Sequence, residues 1–496
     1  MRGPFSQAFF AGDSRATSFL AREYADPVAR LAHVNRASSR EVSPAVLSAL
    51  IVQNADFAPS SQRAKNLADL GAAGTTAMVT GQQVGLFLGP LYSFHKAAAA
   101  IADARAIERE TGKRCVPIFW LQSEDHDFDE INECVVVDRD GELVTLSLDD
   151  GPDAASKISV KHVVLGQSVA ALCQRLADAV GEGPFLEVIR RHYRPGSGLV
   201  KAFAGLMAEV FAAEGLILLD PRTPEMAAAF APIHERAIRG AKPIAEALTR
   251  RSQALEAAGF DVQVHIRPGS ALSFFHADGP EHARARFDDD RANEVLHRLL
   301  ESPLSVSSSA LLRPILQDSV LPTVGYVGGP GELNYFAQLS SLYEAFGLEM
   351  PMFVPRARFR IIDPRTKARM ESHSESSLGT VDPAKIESAI VEASNRVLQS
   401  VPGDAELRKA LRRTRGTIAR AASRFSARYA RLLASRDTVA TERKARVAAM
   451  LSPRGEPQER VLGLPAFACK AGIDAVKAAV FATLVPFDPE VKDVFL

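Results

Sequence analysis

The sequence predicts an α/β protein in which helices cover a parallel β-sheet, followed by a helical final third. The first observation is the order of patterns between residues 75 and 121: an apolar strand, a glycine-rich turn, a helix and a second apolar strand. This order is a βαβ unit, which places two parallel strands in one sheet. The second observation is that residues 382–451 show almost only helical periodicity.

The patterns in the first half predict its elements in turn. Apolar residues spaced three and four apart predict helices over residues 15–70. A buried strand is predicted over 75–80, a helix opened by Gly89-Pro90 over 91–109, and a second strand over 116–121. Asp140-Gly141 separates two short strand patterns, which predicts a hairpin of residues 133–137 and 143–148.

The next part of the chain continues the alternation and contains two predicted insertions. The first has a mixed pattern over residues 150–195, and strand-like pieces at 262–266 and 271–275 mark the second. Further core elements are predicted as a strand at 215–220, helices up to about residue 258, a strand at 321–327, a helix at 332–346, and late strands at 352–354 and 359–362.

A seven-residue apolar repeat in the final third predicts a coiled coil. Pro402-Gly403 interrupts the helical pattern, so we expect two antiparallel helices. The repeat consists of Leu411, Ile418, Phe425 and Leu432, with Ala422 and Tyr429 four residues after two of them.

The same third is strongly basic, with thirteen Lys and Arg against four acidic residues over 404–451. A helical stripe is formed by Arg420, Arg424, Arg428 and Arg431. Such a stripe is typical of the solvated face of a coiled coil, and a wall that faces an anion or nucleic acid is the alternative.

Composition and charge limit the function classes. The 496 residues suffice for about two to four structural units. The 59 Lys and Arg balance 59 Asp and Glu, which argues against a protein that mainly coats nucleic acid or an anionic membrane. The four cysteines form no CxxC pair, so we expect neither a disulfide framework nor a zinc site.

The sequence also predicts a cytoplasmic protein without a membrane span. The first ten residues lack the apolar block of a signal peptide. The longest apolar stretch, residues 471–487, contains Asp474 and Lys477 and would cross a bilayer badly.

The first candidate site is the glycine-rich run 80–90, which leads into Tyr92, His95 and Lys96. At the carboxyl end of a parallel strand, small residues let the backbone approach a ligand, and the next helix offers free N–H groups to an anion. The run is not a Walker A loop, because no Gly-Lys-Ser/Thr follows at the required spacing. A ligand-binding loop and a plain strand-to-helix connection both fit it.

The second candidate site is the acidic run 123–130, directly after the second predicted strand. Asp125 and Asp127 flank His126, and neighbouring carboxylates can orient a histidine for general acid–base catalysis. The same carboxylates suit Mg²⁺ bound to a nucleotide's phosphates, and a solvated acidic loop is the third interpretation. The position beside the first run, at the end of a strand, favours an active-site role.

The third candidate site is a strand, glycine turn and helix pattern within residues 311–335. Gly328, Gly329 and Gly331 surround a proline and would let backbone amides reach a phosphate or carboxylate. Downstream, arginines alternate, which on a strand would give an anion contact or a solvated edge: Arg356, Arg358 and Arg360.

Several long runs together closely resemble the bacillithiol biosynthesis cysteine-adding enzyme family, BshC. The resemblance spans essentially the whole chain and keeps the family's order of motifs. The runs are TGQQVGLFLGPLYSFHKA at 80–97, PIFWLQSEDHDFDEIN at 117–132, LLRPILQDSVLPTVGYVGGPGELNYFAQL at 311–339, MPMFVPR at 350–356 and PRGEPQERV at 453–461.

The resemblance implies an α/β fold with a Rossmann-like parallel-sheet core of the class I nucleotidyltransferase type. It also implies two insertions and a C-terminal α-helical coiled-coil domain that forms a homodimer. The implied boundaries are 1–135 for the N-terminal helices and first part of the core, 136–195 for the first insertion, 196–258 for core, 259–310 for the second insertion, 311–370 for the last part of the core, 371–455 for the coiled-coil arm and 456–496 for a C-terminal helical segment.

The implied activity is the last step of bacillithiol biosynthesis, in which an ATP-dependent ligase joins cysteine to glucosaminyl malate through an amide bond. A carboxylate must be activated before an amine attacks it, which calls for ATP, with Mg²⁺ entering alongside. No tightly bound metal or organic cofactor, no membrane and no nucleic acid is expected as a partner. The alternatives are a nucleotidyltransferase-like enzyme acting on another amino acid or thiol, and a non-catalytic nucleotide- or RNA-binding protein.

The motifs give the candidate site residues. His126 is the candidate acid–base group, and Asp125 and Asp127 are its candidate partners. Basic groups such as Lys96 and Arg313 would meet phosphates or carboxylates. The candidate nucleotide- or substrate-binding residues are Thr80, Gly81, Gln82, Gln83, Gly85, Gly89, His95, Lys96, Arg313, Gln317, Gly328, Gly329, Glu332, Asn334 and Tyr335.

Overall fold

Five helices precede the sheet in the computed structural model, which describes residues 3–149, 151–152, 156–266, 271–371, 383–400, 405–434 and 438–496. The prediction of helices over 15–70 is confirmed, because polar side chains such as Asp26, Ser43 and Ser60 accept hydrogen bonds from the first turns. The helices are α1 (Phe5–Phe10), α2 (Ser14–Thr17), α3 (Pro27–Ala37), α4 (Pro44–Ala55) and α5 (Ser61–Leu70).

The predicted βαβ unit and hairpin follow and are confirmed. The helix of the βαβ unit is rich in alanine and buried along most of its length against the two strands. It ends at Gly112, whose φ of +70° is left-handed and favours glycine. The elements are β1 (Thr76–Gln82), α6 (Tyr92–Thr111), β2 (Cys115–Leu121), and the antiparallel pair β3 (Glu133–Val137) and β4 (Leu143–Ser147).

The middle of the chain is mostly helical. The strand expected at 262–266 is wrong, because the side chain of Gln338 bonds the backbone N–H and C=O of Val264 in place of a neighbouring strand. The elements are α7 (Ser168–Val180), α8 (Pro184–His192), α9 (Leu199–Val210), β5 (Ile217–Leu219), α10 (Pro224–Arg239), α11 (Ala241–Ala257), β6 (Ser273–Phe275), α12 (Ala292–Glu301) and β7 (Val306–Ser308).

The last part of the core agrees with the predicted pattern of strand, helix and late strands. Its elements are α13 (Arg313–Val320), β8 (Thr323–Gly328), α14 (Pro330–Phe346), β9 (Met352–Pro355), β10 (Arg358–Ile362) and α15 (Pro364–Glu371).

The final third is helical, as predicted, except for one strand at its end. The helices are α16 (Pro383–Ser400), α17 (Ala405–Ala434), α18 (Thr438–Leu451), α19 (Gln458–Val461), α20 (Pro465–Ala471) and α21 (Ile473–Thr483). The strand β11 (Val491–Phe495) pairs in parallel with β10 and lies in the segment that we expected to be helical.

The predicted coiled-coil seam is not confirmed. Helix α16 packs against α17, but Phe425 is 52% exposed, whereas Ala422 and Ser426 on the same helix are buried. The expected break at Pro402-Gly403 lies outside the described residues. Within the described ranges, every helix is too short or too polar to span a bilayer.

The central sheet has five parallel strands in the order β5-β2-β1-β8-β9, which confirms the predicted fold class. The chain builds outward from β1 through β2 to β5 and then returns to the other side of β1 with β8 and β9. This reversal creates a topological switch point between β1 and β8. Open α/β sheets bind ligands outside the carboxyl ends of the strands at such a point.

Candidate functional site

The loops that follow the five parallel strands meet at one edge of the sheet, here called the carboxyl edge. Gln83 follows β1, the acidic run 123–130 follows β2, and Asp220 follows β5. Gly329 follows β8, and Arg356 follows β9. Polar side chains from distant parts of the sequence therefore converge beside the switch point.

A buried lysine lies at the ends of β1 and β8. Lys96 Nζ donates to the Gly81 carbonyl at 2.8 Å and to Gln82 Oε1 at 2.7 Å, and it lies 2.6 Å from Glu332 Oε2. The residue is 3% exposed, and burial lowers the pKa of Lys96 to about 8, although Glu332 acts in the opposite direction. A buried ionisable group with a specific partner in a crevice is typical of a functional site.

Glu332 lies in the first turn of α14 and is held as a carboxylate. Tyr326 donates its hydroxyl to Glu332 Oε1 at 2.5 Å, and the N–H of Gly329 donates to Oε2 at 2.8 Å. Burial alone would raise the pKa of Glu332, but Lys96 and these two donors lower it. The carboxylate therefore remains available to pair with Lys96 at neutral pH.

Arg313 extends this group of buried charges. Its Nη2 donates to the hydroxyl of Tyr335 at 2.8 Å and of Tyr326 at 3.3 Å. Its Nη1 is buried and has no acceptor among the described residues. A buried guanidinium N–H without an acceptor is costly, and a phosphate or carboxylate oxygen would satisfy it.

The acidic run is tied to β1 by Gln83. The Gln83 amide donates to Asp125 Oδ2 and to Glu130 Oε2, both at 2.7 Å. Burial would raise the pKa of Asp125, but hydrogen bonds from His126 and Gln83 and the charge of Arg284 lower it to about 2. Asp125 is thus ionised at any physiological pH.

Arg284, which the sequence did not single out, sets the state of His126. Its Nη2 lies 2.6 Å from His126 Nδ1, and its guanidinium stacks 4.3 Å from the centre of the Phe274 ring. Nδ1 also lies 3.3 Å from Asp125 Oδ1. Because a guanidinium can only donate, the Arg284 contact requires Nδ1 as the acceptor and places a ring proton on Nε2. Asp127 is exposed and contacts Asp125 only through its backbone N–H within the described contacts.

A second group at the carboxyl edge was also missed. Asp220 accepts the hydroxyl of Ser123 at 2.5 Å and pairs with Lys161, and Glu124 accepts the hydroxyl of Ser308. Asp220 was detectable in the sequence, because it is the last residue of a predicted parallel strand. Ser123 and Glu124 belong to the acidic run, whereas Lys161 and Ser308 lie in the two segments predicted as insertions, where no local pattern marks them.

Other candidate residues have contacts that account for them structurally. A Cβ on Gly85 would lie 1.8 Å from the Gly89 carbonyl oxygen, so these two glycines pack against each other. Thr80 donates to the Val327 carbonyl at 2.8 Å, and Asn334 accepts the N–H of Ser6 at 2.8 Å. A ligand role for these residues stays a prediction.

Two more candidates are fully buried. His95 Nδ1 lies 3.2 Å from Glu459, which also forms a bidentate pair with Arg356 at 2.6 and 2.7 Å. Gln317 donates to Asp318 at 2.9 Å. Their contact with substrate likewise stays a prediction. In the part of the chain that the structure describes, no group of three His, Cys, Asp or Glu side chains is arranged to hold a metal ion.

Comparison with known proteins identifies the family. Residues 3–357 match the model for "Bacillithiol biosynthesis BshC, N-terminal Rossmann-like domain". Curated relatives named "Putative cysteine ligase BshC" include one from Koribacter versatilis, 32% identical over 467 residues that cover 88% of this chain and 87% of the relative. Another, from Solibacter usitatus, is 30% identical over 472 residues, covering 87% and 85%. A third, from Salinibacter ruber, is 32% identical over 364 residues, covering 70% and 65%. With a matching Rossmann-like domain and relatives that align along most of its length, this chain belongs to the BshC family.

Proposed function

We propose that this protein is an ATP-dependent ligase that joins cysteine to glucosaminyl malate through an amide bond, the last step of bacillithiol biosynthesis. Its family membership and the cysteine ligase names of its relatives support this proposal. The observation that carries it is that a buried cation and the acidic run with His126 lie at the same carboxyl edge of the sheet. A buried cation lies at the switch point, and beside it Gln83 links β1 to the ionised Asp125, which precedes His126 in the acidic run.

The nucleotide would bind at the switch point. The unpaired Nη1 of the Arg313 guanidinium is suited to a phosphate oxygen, and Lys96, whose three N–H donors already have acceptors, adds positive charge nearby. A Cβ on Gly329 would lie 3.1 Å from Arg356 Nε, so glycine keeps the backbone close to this arginine. ATP supplies the activation of a carboxylate that an amine cannot attack directly, and Mg²⁺ would enter with it.

His126 would polarise the activated carboxyl group. The Arg284 contact leaves Nε2–H as its donor, so the imidazole can hydrogen-bond the oxygen on which negative charge develops. Loss of one such donor typically lowers kcat by about 10²–10³-fold. This role differs from the acid–base function expected from the sequence, because neither ring nitrogen is then free to accept the proton of the amine.

The direct experiment supplies purified protein with ATP, cysteine and glucosaminyl malate and detects the amide product by mass spectrometry. Release of AMP or ADP then distinguishes an acyl-adenylate from an acyl-phosphate. His126→Ala should lose product formation and keep the wild-type melting temperature. Absence of product from the wild-type protein, with unchanged thiols and no precursor accumulation in a strain lacking the gene, would refute the proposal.

The remaining parts of the proposal are a cytoplasmic location and a homodimer formed through the helical third. The seven-residue apolar repeat of Leu411, Ile418, Phe425 and Leu432 supports the second part, since such a repeat is typical of helices that pair. Analytical ultracentrifugation of the wild-type protein and of Phe425→Glu tests it, and an unchanged monomer mass for both would contradict it.

A further inference from the structure

A small cavity of about 150 Å³ lies beside the carboxyl end of β5. It is lined by neither Lys96 nor His126. Its apolar wall comes from α4 and α9 and from the sheet, and includes Phe57, Leu121 and Ala204. Its charged groups are Lys161 and Asp220, together with the exposed pair of Asp56 and Lys201.

The volume of this cavity limits the size of the ligand that it can enclose. The volume corresponds to about five water molecules at ~30 Å³ each. Pockets for larger ligands typically measure about 300–1,000 Å³, so this cavity is too small to enclose ATP or a sugar-malate. A three-carbon amino acid does fit, and a thiol side chain behaves as a small apolar group against a wall such as Phe57 and Ala204.

Hydrogen bonds hold Lys161, one of the two lysines of the cavity, in position. It pairs with Asp220, whose Oδ1 also accepts from Ser123 at 2.5 Å and from the N–H of Arg222 at 3.0 Å. Gln53 fixes the backbone of Asp220. Its Oε1 accepts from the Asp220 N–H at 2.9 Å, and its side-chain amide donates to the Asp220 carbonyl at 3.1 Å. An ammonium carries three N–H donors, so Lys161 can bond Asp220 and a substrate carboxylate together.

The cavity is joined directly to the acidic run. The N–H of Lys161 donates to the Ser123 carbonyl at 3.2 Å, and the N–H of Val160 donates to the Asp125 carbonyl at 2.7 Å. A carboxylate at Lys161 would therefore lie beside the loop that carries His126. The carboxylate is the group of an amino acid that a ligase must activate.

We propose that this cavity is the cysteine subsite, with the carboxylate at Lys161, the thiol against Phe57 and Ala204, and the ammonium towards Asp56. The inference rests on the proposed function, because it assigns one of that reaction's substrates to a place. It adds a substrate-binding residue, Lys161, and two apolar residues that would contact the thiol, Phe57 and Ala204; none of the three lies in the sequence motifs.

The test measures the KM for cysteine, ATP and glucosaminyl malate separately, and cysteine binding alone by calorimetry. Lys161→Met should raise the KM and Kd for cysteine about tenfold to a hundredfold, since a hydrogen bond to a charged group is lost. The KM values of the other substrates should stay within about twofold. Lys65→Met removes a lysine from another lysine–aspartate pair and is the matched control.

Two further measurements keep the inference testable if Lys161→Met does not fold. Ala204→Leu should fill the cavity and weaken cysteine binding. With the wild-type protein, 3-mercaptopropionate should compete with cysteine better than cysteamine, which lacks the carboxylate. Equal competition by the two analogues, or a raised KM for ATP or glucosaminyl malate in place of cysteine, would overturn the inference. Absence of product from the wild-type protein, together with unchanged thiols and no precursor accumulation in a strain lacking the gene, would instead refute the proposed function, and cysteine binding would still be measurable.

Discussion

The buried pair of Lys96 and Glu332 gives the sharpest prediction, which concerns Glu332→Gln. The substitution keeps the shape of the side chain and removes its charge. Lys96 Nζ, 2.6 Å from the carboxylate in the wild type, would retain only the Gly81 carbonyl and Gln82 Oε1 as acceptors within the described contacts. We therefore expect a loss of stability that depends on pH.

The magnitude follows from the burial of Lys96. Removal of one partner from a buried ion pair typically costs about 3–5 kcal/mol. Because the pKa of Lys96 is already lowered to about 8, loss of its proton at pH 7 costs only about 1.4 kcal/mol, and less in the variant. A neutral lysine needs no carboxylate, so the loss should approach about 3 kcal/mol at pH 6 and fall below about 1 kcal/mol at pH 9.

The assay is urea unfolding of wild type and Glu332→Gln at pH 6 and pH 9, with the loss of stability taken from the shift of the midpoint. Glu294→Gln is the matched control, since Glu294 pairs with Arg291 at 2.8 Å on the surface, and its midpoint should hardly move. A loss that is equal at both pH values, or no larger than in the control, would refute the reasoning.

Three other substitutions test neighbouring features. Asp125→Asn should cost about 2 kcal/mol at pH 7: the pKa of Asp125 is lowered to about 2, so its stabilisation is complete above about pH 4 and is lost as the pH falls to 2. Asp103→Asn should raise the melting temperature at pH 9 and leave it unchanged at pH 4, because burial raises the pKa of Asp103 to about 8 and the wild type loses stability as the pH rises between these values. Gly85→Ala should lower the unfolding midpoint, at a typical overpacking cost of about 1–3 kcal/mol, whereas Gly331→Ala, whose Cβ meets nothing within 4 Å, should not.

The sheet was predictable because its strands are buried on both faces. Parallel strands of this kind are short apolar runs bounded by glycine or charged residues, and β1, β2, β8 and β9 all have that pattern. The strand β11 was missed because it is only partly buried against β10 and contains Lys492 and Asp493, so no apolar run marks it.

The glycine-rich run shows the limit of motif reasoning. Its position after β1 suited either a loop that binds an anion or a plain strand-to-helix connection. In the structure Leu86, Phe87 and Leu88 are fully buried, and the N–H of Phe87 donates to the Tyr193 hydroxyl at 3.1 Å. Only the start of the run, at Gly81 and Gln82, reaches the lysine. Three consecutive apolar residues inside a supposed phosphate loop are a signal that could have limited the prediction to that start.

The site residues that were missed share a physical cause. Arg284 lies 158 positions from His126 in the sequence, and Lys161 lies 59 positions from Asp220. Contacts over such separations depend on how residues 136–195 and 259–310, the segments predicted as insertions, pack against the sheet, and no local period encodes them. The acidic run itself was found because its residues are contiguous and follow a strand.

Two consecutive residues at the end of β1 contact both Lys96 and the acidic run. Gln82 accepts from Lys96, and Gln83 donates to Asp125 and Glu130. Successive side chains of a strand point to opposite sides, so one short peptide reaches both groups. A shift of β1 at its carboxyl end would therefore change the lysine contact and the aspartate contact together. A ligase that must bring an activated carboxylate to an amine needs this kind of link, because neither group alone positions both reactants.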